Sequence, residues 1–424
     1  MKSSKSILFL MVSFAVVLLL GSLCFAADKP FEGTTINFIL QNVSDAEAVK
    51  TLVPRFTEET GIKVNVMDVS YAHLREKILL GLRAPENPYD VIDIDGIWSS
   101  EMIDGGYIEP LTNYMKKYGS SDLQDYPVSV LFEYARNSEL YAIPFWTCNF
   151  IFMYRKDLFE QAGMEAPKNM NELVKAAAYF TKSLNPNSPI EFGMAQHAAR
   201  TGLTDEWFGF LKGAGGDYFD SNMNPIFNNE AGVKATKEYI ELRKYAPVGV
   251  ENFEYTEVQT ALSTGLVAMA DQWCLAGPDL ENPEKSQVAG KLGYSMMPVG
   301  GSRWGHHGLG IPKNAKNKDA AYLFIKWITS KELATEYALA GGNPIRLSAW
   351  MNPELQAKYP WYAILPEASA KGSFPPRIPE YAQVEDTVSV NVAEAYMGNI
   401  SVEEALNKAA TEATDIMKKA GYIK

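Results

Sequence analysis

The chain has 424 residues, 47% of them hydrophobic and 21% charged, which is enough apolar material for two or three domains' worth of core. A net charge of −12 argues against nucleic acid or an anionic membrane surface as a partner. Aromatics are plentiful and no low-complexity run occurs, which argues against disorder. The N-terminus carries Lys2 and Lys5, an apolar run from Ile7 to Leu20 and then small residues, the layout of a secretory signal peptide over residues 1–26. Cleavage is expected after Ala26. A membrane anchor is the alternative, but the apolar run is short for a span of ~20 residues. A lipid-tethered reading of Cys24 is weakened by bulky Leu23. Loss of Lys2 and Lys5 takes the charge from −12 to −14 and leaves Cys148 and Cys274 with no CxxC, which excludes zinc ribbons and thioredoxin-like motifs. Those two thiols either pair in an oxidising compartment or stay free and buried.

Beyond the leader, residues 34–40 read as a strand, 45–61 as a helix ending at Gly61, and 62–69 as a second strand. Residues 71–85 read as an amphipathic helix closed by Pro85, and "YDVIDID" (89–95) as a third strand. Strand–helix alternation of this kind predicts a parallel sheet covered by helices. Helices are expected at 171–184, 231–246, 318–339 and 401–421, the last opened by a Ser401–Glu404 capping box. Short strands are expected at 265–273 and 291–299. The third strand poses a problem, because Val91, Ile92 and Ile94 suit a covered strand and Asp93 and Asp95 do not.

No GxxxxGK[ST], GxSxG or HExxH occurs, and "GHHGLG" and "GAGGDY" miss the GxGxxG spacing. Of the four histidines, neighbours His306 and His307 in an extended segment point to opposite faces, so no metal site and no cofactor is expected. Aromatics do recur beside polar residues: Trp98 after Asp95, Trp146 in "IPFWTCNF", Trp207 in "DEWFGF", Trp273 in "ADQWC", and Trp304 before the histidines. Flat rings beside hydrogen-bonding groups suit sugars, although any one of these tryptophans is as well explained by core packing.

Five stretches in order resemble the extracellular solute-binding proteins of bacterial ABC sugar importers, the family that includes maltose-binding protein. They are "YDVIDIDGIWSSEMIDGGYIEPL", "ELYAIPFWTCNFIFMYRKDLFEQAG", "TALSTGLVAMADQW", "MPVGGSRWGHHGLGIPKNAKNKDAAYLFIKWITSKE" and "SVEEALNKAATEA". The resemblance implies an α/β two-lobe periplasmic-binding-protein fold (type II), with a ligand cleft between lobes joined by hinge crossings. It places residues 27–143 and 300–342 in one lobe, and 144–299 and 343–424 in the other. Asp95 would then end its strand at the cleft and meet ligand hydroxyls, as ligands do beyond the carboxyl ends of strands. Asp93 would face a helix N-terminus or backbone, and Asp90 a turn. The resemblance also implies ligand contacts from Gln41 and Asn42 after the first strand, Tyr71 at the next helix start, Trp146 at the crossing, Trp273 under the ligand, and His306 and His307 at the cleft mouth. Arg346 and Arg377 join the set from second-lobe loops, with an inter-lobe ion pair or a buried-loop clamp as their alternative.

The implied function is non-enzymatic capture of a sugar, sugar alcohol or short oligosaccharide by hinge closure. The implied partner is an ABC permease, and the protein is expected to be periplasmic and monomeric. "RWGHHGLGIP" and the tail from residue 372 look closer to relatives that take polyols, trehalose-like disaccharides or short oligosaccharides. A binder of another solute (peptide, phosphoester or metal chelate) and an exported carbohydrate-active enzyme remain as alternatives, the latter needing a carboxylate pair ~5–10 Å apart.

Overall fold

The structure, a computed structural model, describes residues 29–120 and 122–424. The expected leader, with Cys24 and Ala26, lies outside the described residues.

Two sheets organise the chain. The first has five strands in the order β2 (Lys63–Val69), β1 (Thr35–Gln41), β3 (Val91–Asp95), β11 (His306–Gly310), β6 (Ala142–Thr147). The second has four, in the order β10 (Leu292–Ser295), β7 (Phe150–Arg155), β9 (Val267–Trp273), β8 (Phe192–Ala195). A two-stranded ribbon, β4 (Ala135–Arg136) with β5 (Glu139–Leu140), stands apart. β1 runs parallel to β2 and β3, as the strand–helix alternation requires. β11, which lies outside that alternation, is antiparallel to both β3 and β6.

Local chemistry sets the helices. The helix Ser44–Thr60 buries Ala48, Val49, Leu52 and Phe56 along one stripe, each aromatic or aliphatic side chain contributing about 1.5–3 kcal/mol. It stops at Gly61, whose φ of 74° lets its N–H close on Thr57 O at 2.8 Å. The single helix expected over 318–339 is two, Lys318–Ile328 and Lys331–Leu339. The break has a cause: the Thr329 carbonyl accepts from Arg346 Nε (2.9 Å) and Tyr126 O–H (3.2 Å). The helix Val402–Lys419 is capped by Ser401 Oγ on the Glu404 N–H at 3.1 Å, and packs on the helix Tyr381–Tyr396 in the core of the second body.

The bodies meet where extended segments lie side by side. Cys148 N–H donates to Gly305 O (2.9 Å), Phe150 N–H to Arg303 O (3.0 Å), and Thr147 N–H to Asn343 O (2.9 Å). Residue Ser373 joins them, accepting from Trp304 N–H (3.0 Å) and donating to Ser302 O (2.9 Å). Cys148 and Cys274 are both free and buried here, and burial pushes both thiols up, Cys274 to about 12. Among the described residues no helix is long and apolar enough to cross a membrane.

Candidate functional site

β3 answers the puzzle of its own acids. Asp93 is fully buried, and Oδ2 accepts the Gln41 N–H at 3.1 Å while Oδ1 lies 3.0 Å from His307 Nδ1. Asp95 Oδ1 accepts from Ile97 N–H (3.2 Å), and Oδ2 accepts from Tyr71 O–H (2.7 Å) and stands 3.6 Å from His307 Nε2. No oxygen of either acid lacks a partner. His307 arrives opposite Asp95 through the β11–β3 register. Burial works against its protonation, but Asp93 and Asp95 outweigh that and raise its pKa above the ordinary value. A doubly protonated ring satisfies both carboxylates at once. It lies flat on Trp146, with centroids 3.8 Å apart at 18°. Tyr71 stacks on Trp98 at 5.2 Å, its hydroxyl held neutral by burial and by Asp95 while 43% of the residue stays exposed.

The second body presents a matching charge group. Arg303 Nη1 lies 2.5 Å from Asp205 Oδ1 and 2.7 Å from Glu385 Oε1, with the guanidinium 6.0 Å over the Trp273 ring. Glu385 also accepts from Tyr381 O–H (2.8 Å) and Thr204 O–H (3.2 Å). Burial pulls the Asp205 carboxyl up and Arg303 opposes it. The two groups lie near enough for the charges of Asp205 and Arg303 to act on Tyr71. Trp273, half-buried and edge-on to Phe150 at 4.5 Å, ends β9.

Behind Trp273 lies a second acid pair, Glu206 and Asp271, both fully buried. Glu206 Oε2 accepts from His197 N–H at 2.7 Å; Glu206 Oε1 and both Asp271 oxygens have no partner. Burial pushes Asp271 up to about 8, and burial with the Asp271 charge raises Glu206. His197, lowered to about 3 by burial, is neutral and donates through Nε2 to Gln272 Oε1 (3.1 Å), which also receives Trp273 N–H (2.8 Å).

Two openings flank this centre. A groove of about 670 Å³ is lined by Asn42, Glu47, Tyr255, Asp279, Lys285 and Tyr359. On the other side a cavity of about 10 Å³ lies among Asp95, Trp304, His306, Phe374 and Arg377.

The structure thus brings Tyr71, Asp95 and His307 together and sets Trp273 opposite. Gln41 enters through its backbone N–H, and Asn42 lines the larger groove. Trp146, expected at the cleft, is wholly buried and serves as the floor beneath His307. His306 points the other way, with Nδ1 2.9 Å from Tyr134 O. Arg377 leaves its expected open loop for Ala135 O (3.0 Å) and Glu133 Oε2 (3.4 Å). Arg346 is corrected from ligand contact to its alternative, the buried-loop clamp: it is 2% exposed and held to Thr329 O, Tyr126 Oη (2.9 Å) and Asp125 Oδ2 (3.4 Å), with no donor left over for a cleft. Asp90 is a buried tie, accepting from Asn37 N–H (3.0 Å) and Asn317 N–H (2.8 Å). Sequence reasoning missed Arg303, Asp205 and Glu385. Asp205 opens "DEWFGF", the stretch singled out for Trp207, and an acid two residues before that ring was the signal available. Among the described residues no group of three His, Cys, Asp or Glu side chains could hold a metal.

A family profile described as bacterial extracellular solute-binding protein matches residues 42–335, more than half of the chain. The chain belongs to that family. This solute-binding protein is 32% identical over 406 residues to a probable amino-acid ABC transporter periplasmic-binding protein of Sinorhizobium fredii, covering 93% of this chain and 92% of the relative. It is 25% identical over 439 residues to a mannitol-binding protein of Pseudomonas aeruginosa, covering 96% and 98%. Its fold superposes with a TM-score of 0.83, at 26% identity, on an ABC transporter solute-binding protein from Agrobacterium radiobacter K84 in complex with ribitol, covering 91% of this chain and 99% of that one.

Proposed function

We propose that this solute-binding protein captures a small, neutral, polyhydroxylated solute, a sugar alcohol before a sugar, and delivers it to an ABC permease without chemical change. The observation that carries this reading is the charge balance at the centre. Arg303 is matched by Asp205 and Glu385, and His307 by Asp93 and Asp95. A ligand carboxylate or phosphate entering there meets no cation unclaimed by an acid. A hydroxyl-rich ligand meets carboxylate lone pairs that accept its O–H groups, and the faces of Trp273 and Tyr71 for its C–H groups. The mannitol-binding relative and the ribitol complex support the same class. The S. fredii relative's name points to amino acids, whose carboxylate this centre is ill-suited to hold.

Ligand binding by Tyr71, Asp95, Trp273, His307, Arg303 and Asp205 would draw the two bodies together, since these residues come from both sides. The lobes would comprise residues 27–143 with 300–342, and 144–299 with 343–424, with Arg346 stapling the start of the last segment to the first lobe. Asp95 is tied to Tyr71 and Ile97, and Asp205 to Arg303, which supports binding over nucleophilic catalysis. Export by the 1–26 leader to the periplasm, and action as a monomer, complete the reading.

Thermal unfolding of the chain from Ala27 against alditols, sugars, amino acids and phosphoesters tests it. A ligand at 100 times its Kd adds about 2.7 kcal/mol, enough for a midpoint shift of degrees. Shifts confined to alditols or sugars, with the solute recovered intact, are expected. Shifts only with amino acids or phosphoesters, or recovery of a cleaved sugar, would overturn it.

A further inference from the structure

We infer that the small cavity beside Asp95 is an end-pocket that takes the terminal hydroxyl group of a linear alditol, so that one end of the ligand is walled off. This rests on the polyhydroxylated-solute reading and narrows it to acyclic chains.

Two polar atoms around the cavity are buried and unpartnered, Trp304 Nε1 and His306 Nε2, while Arg377 Nε stands 3.4 Å from Glu133 Oε2 in the same lining. Trp304 is 2% and His306 1% exposed. Their hydrogen-bonding sense follows from neighbours. The single proton of Tyr134 O–H goes to carbonyl acceptors, Ile94 O at 3.0 Å and His306 O at 3.3 Å, so the phenol oxygen accepts from His306 Nδ1–H. His306 is neutral, its pKa lowered to about 3 by burial and by the neighbouring His307 charge, so Nε2 offers a lone pair. Trp304 Nε1 can only donate. One donor and one acceptor are the complement of a hydroxyl, which accepts and donates at once.

Size and position narrow the choice further. About 10 Å³ admits one hydroxyl-sized group and no sugar ring. The far side is closed by Phe374, stacked on Trp304 at 5.0 Å, and by Pro375 and Pro376. Asp95, already in the ligand centre, lines the same cavity, and so do Gly96 and Gly305. A Cβ on Gly96 would come 2.5 Å from His306, and one on Gly305 2.6 Å from Cys148 Sγ and 2.9 Å from Trp273, so both backbones approach these side chains as only glycine can.

Calorimetry on the mature protein with D-mannitol, ribitol and erythritol, each beside its analogue lacking both primary hydroxyls, tests the assignment. Unpairing the buried donor and acceptor predicts that at least one alditol binds about 10- to 100-fold tighter than its dideoxy analogue. Trp304→Phe, which keeps the stack on Phe374, should weaken that alditol about tenfold and leave the analogue within about twofold, erasing the preference. Equal binding of alditol and analogue by the wild type overturns the end-pocket and leaves the polyhydroxylated-solute reading standing. Equal weakening of both by Trp304→Phe also overturns it, assigning the cavity to a resident water or to packing. Should that variant not fold, the wild-type pair of ligands decides alone. If no alditol or sugar binds, the broader reading falls and the end-pocket with it.

Discussion

Each body buries a pair of acids, and the fold treats the two pairs in opposite ways. Asp93 and Asp95 have every oxygen partnered, by Gln41 and Ile97 N–H groups, the Tyr71 hydroxyl and the His307 ring. Glu206 and Asp271 leave three of four oxygens without a partner. The first pair has a cation between its members, the His307 ring. The second keeps a proton because two bare carboxylates in a dry interior are too costly. The difference follows position. His307 reaches the first pair through the β11–β3 register, and three oxygens of the second have no partner among the described residues.

The sharpest way to break this contrast is His307→Ala, which takes the cation from between two buried carboxylates and leaves Asp93 Oδ1 without a partner. A loss of about 3–5 kcal/mol in urea unfolding at pH 7 is expected; a loss below about 1 kcal/mol would mean that the first pair is not held by charge. Asp271→Asn probes the other pair. A carboxyl raised to about 8 in the fold binds a proton that the unfolded chain has released, so its stabilisation is full below pH ~4 and drains away as pH climbs towards 8. The asparagine keeps the shape without the charge. It should therefore raise the unfolding midpoint at pH 8 while changing little near pH 4, flattening the pH profile. The alkaline loss that remains in that variant should belong to Glu206 and Glu133, whose carboxyls burial also raises, and to His307. Its raised pKa gives stability that is full below pH ~6.5 and lost as pH rises through the folded value, and thermal midpoints from pH 6 to 9 would show it. Tyr71→Phe removes one hydrogen bond to Asp95 and keeps the stack on Trp98, for about 1 kcal/mol in stability and a comparable loss in ligand affinity by calorimetry. Lys168→Ala, which breaks an exposed pair with Glu165, should leave the unfolding midpoint where it was.

Much of the first sheet was legible because its strands are runs of Ile, Val and Phe between helix stripes. The first strand was expected at 34–40 and lies at Thr35–Gln41. β11 was not legible as a strand by itself: two histidines and two glycines have little strand preference, and only its neighbours β3 and β6 make it one. The helix Tyr381–Tyr396 was missed for the converse reason. Val384, Thr387, Val388 and Val392 favour strands, and packing against the helix Val402–Lys419 overrides them. At the site, Asp95, Tyr71 and Trp273 stood at the ends of recognisable elements and could be singled out. Arg303 could not, because its meaning comes from Asp205 and Glu385, about a hundred residues before it and some eighty after. Arg346 looked available on sequence because nothing local announces that Thr329, Tyr126 and Asp125 will close around it.

The segment that carries Phe374, Pro375, Pro376 and Arg377 is joined to the crossing strand by two backbone hydrogen bonds at Ser373 and lies outside both sheets. It is therefore open to evolutionary drift in a way that β3 and β11 are not. Insertions or exchanges there would redraw the boundary of the recess while Asp93, Asp95 and His307 stayed fixed. A lineage carrying this architecture could change the length of what it accepts by editing a single short loop, without renegotiating the buried charges.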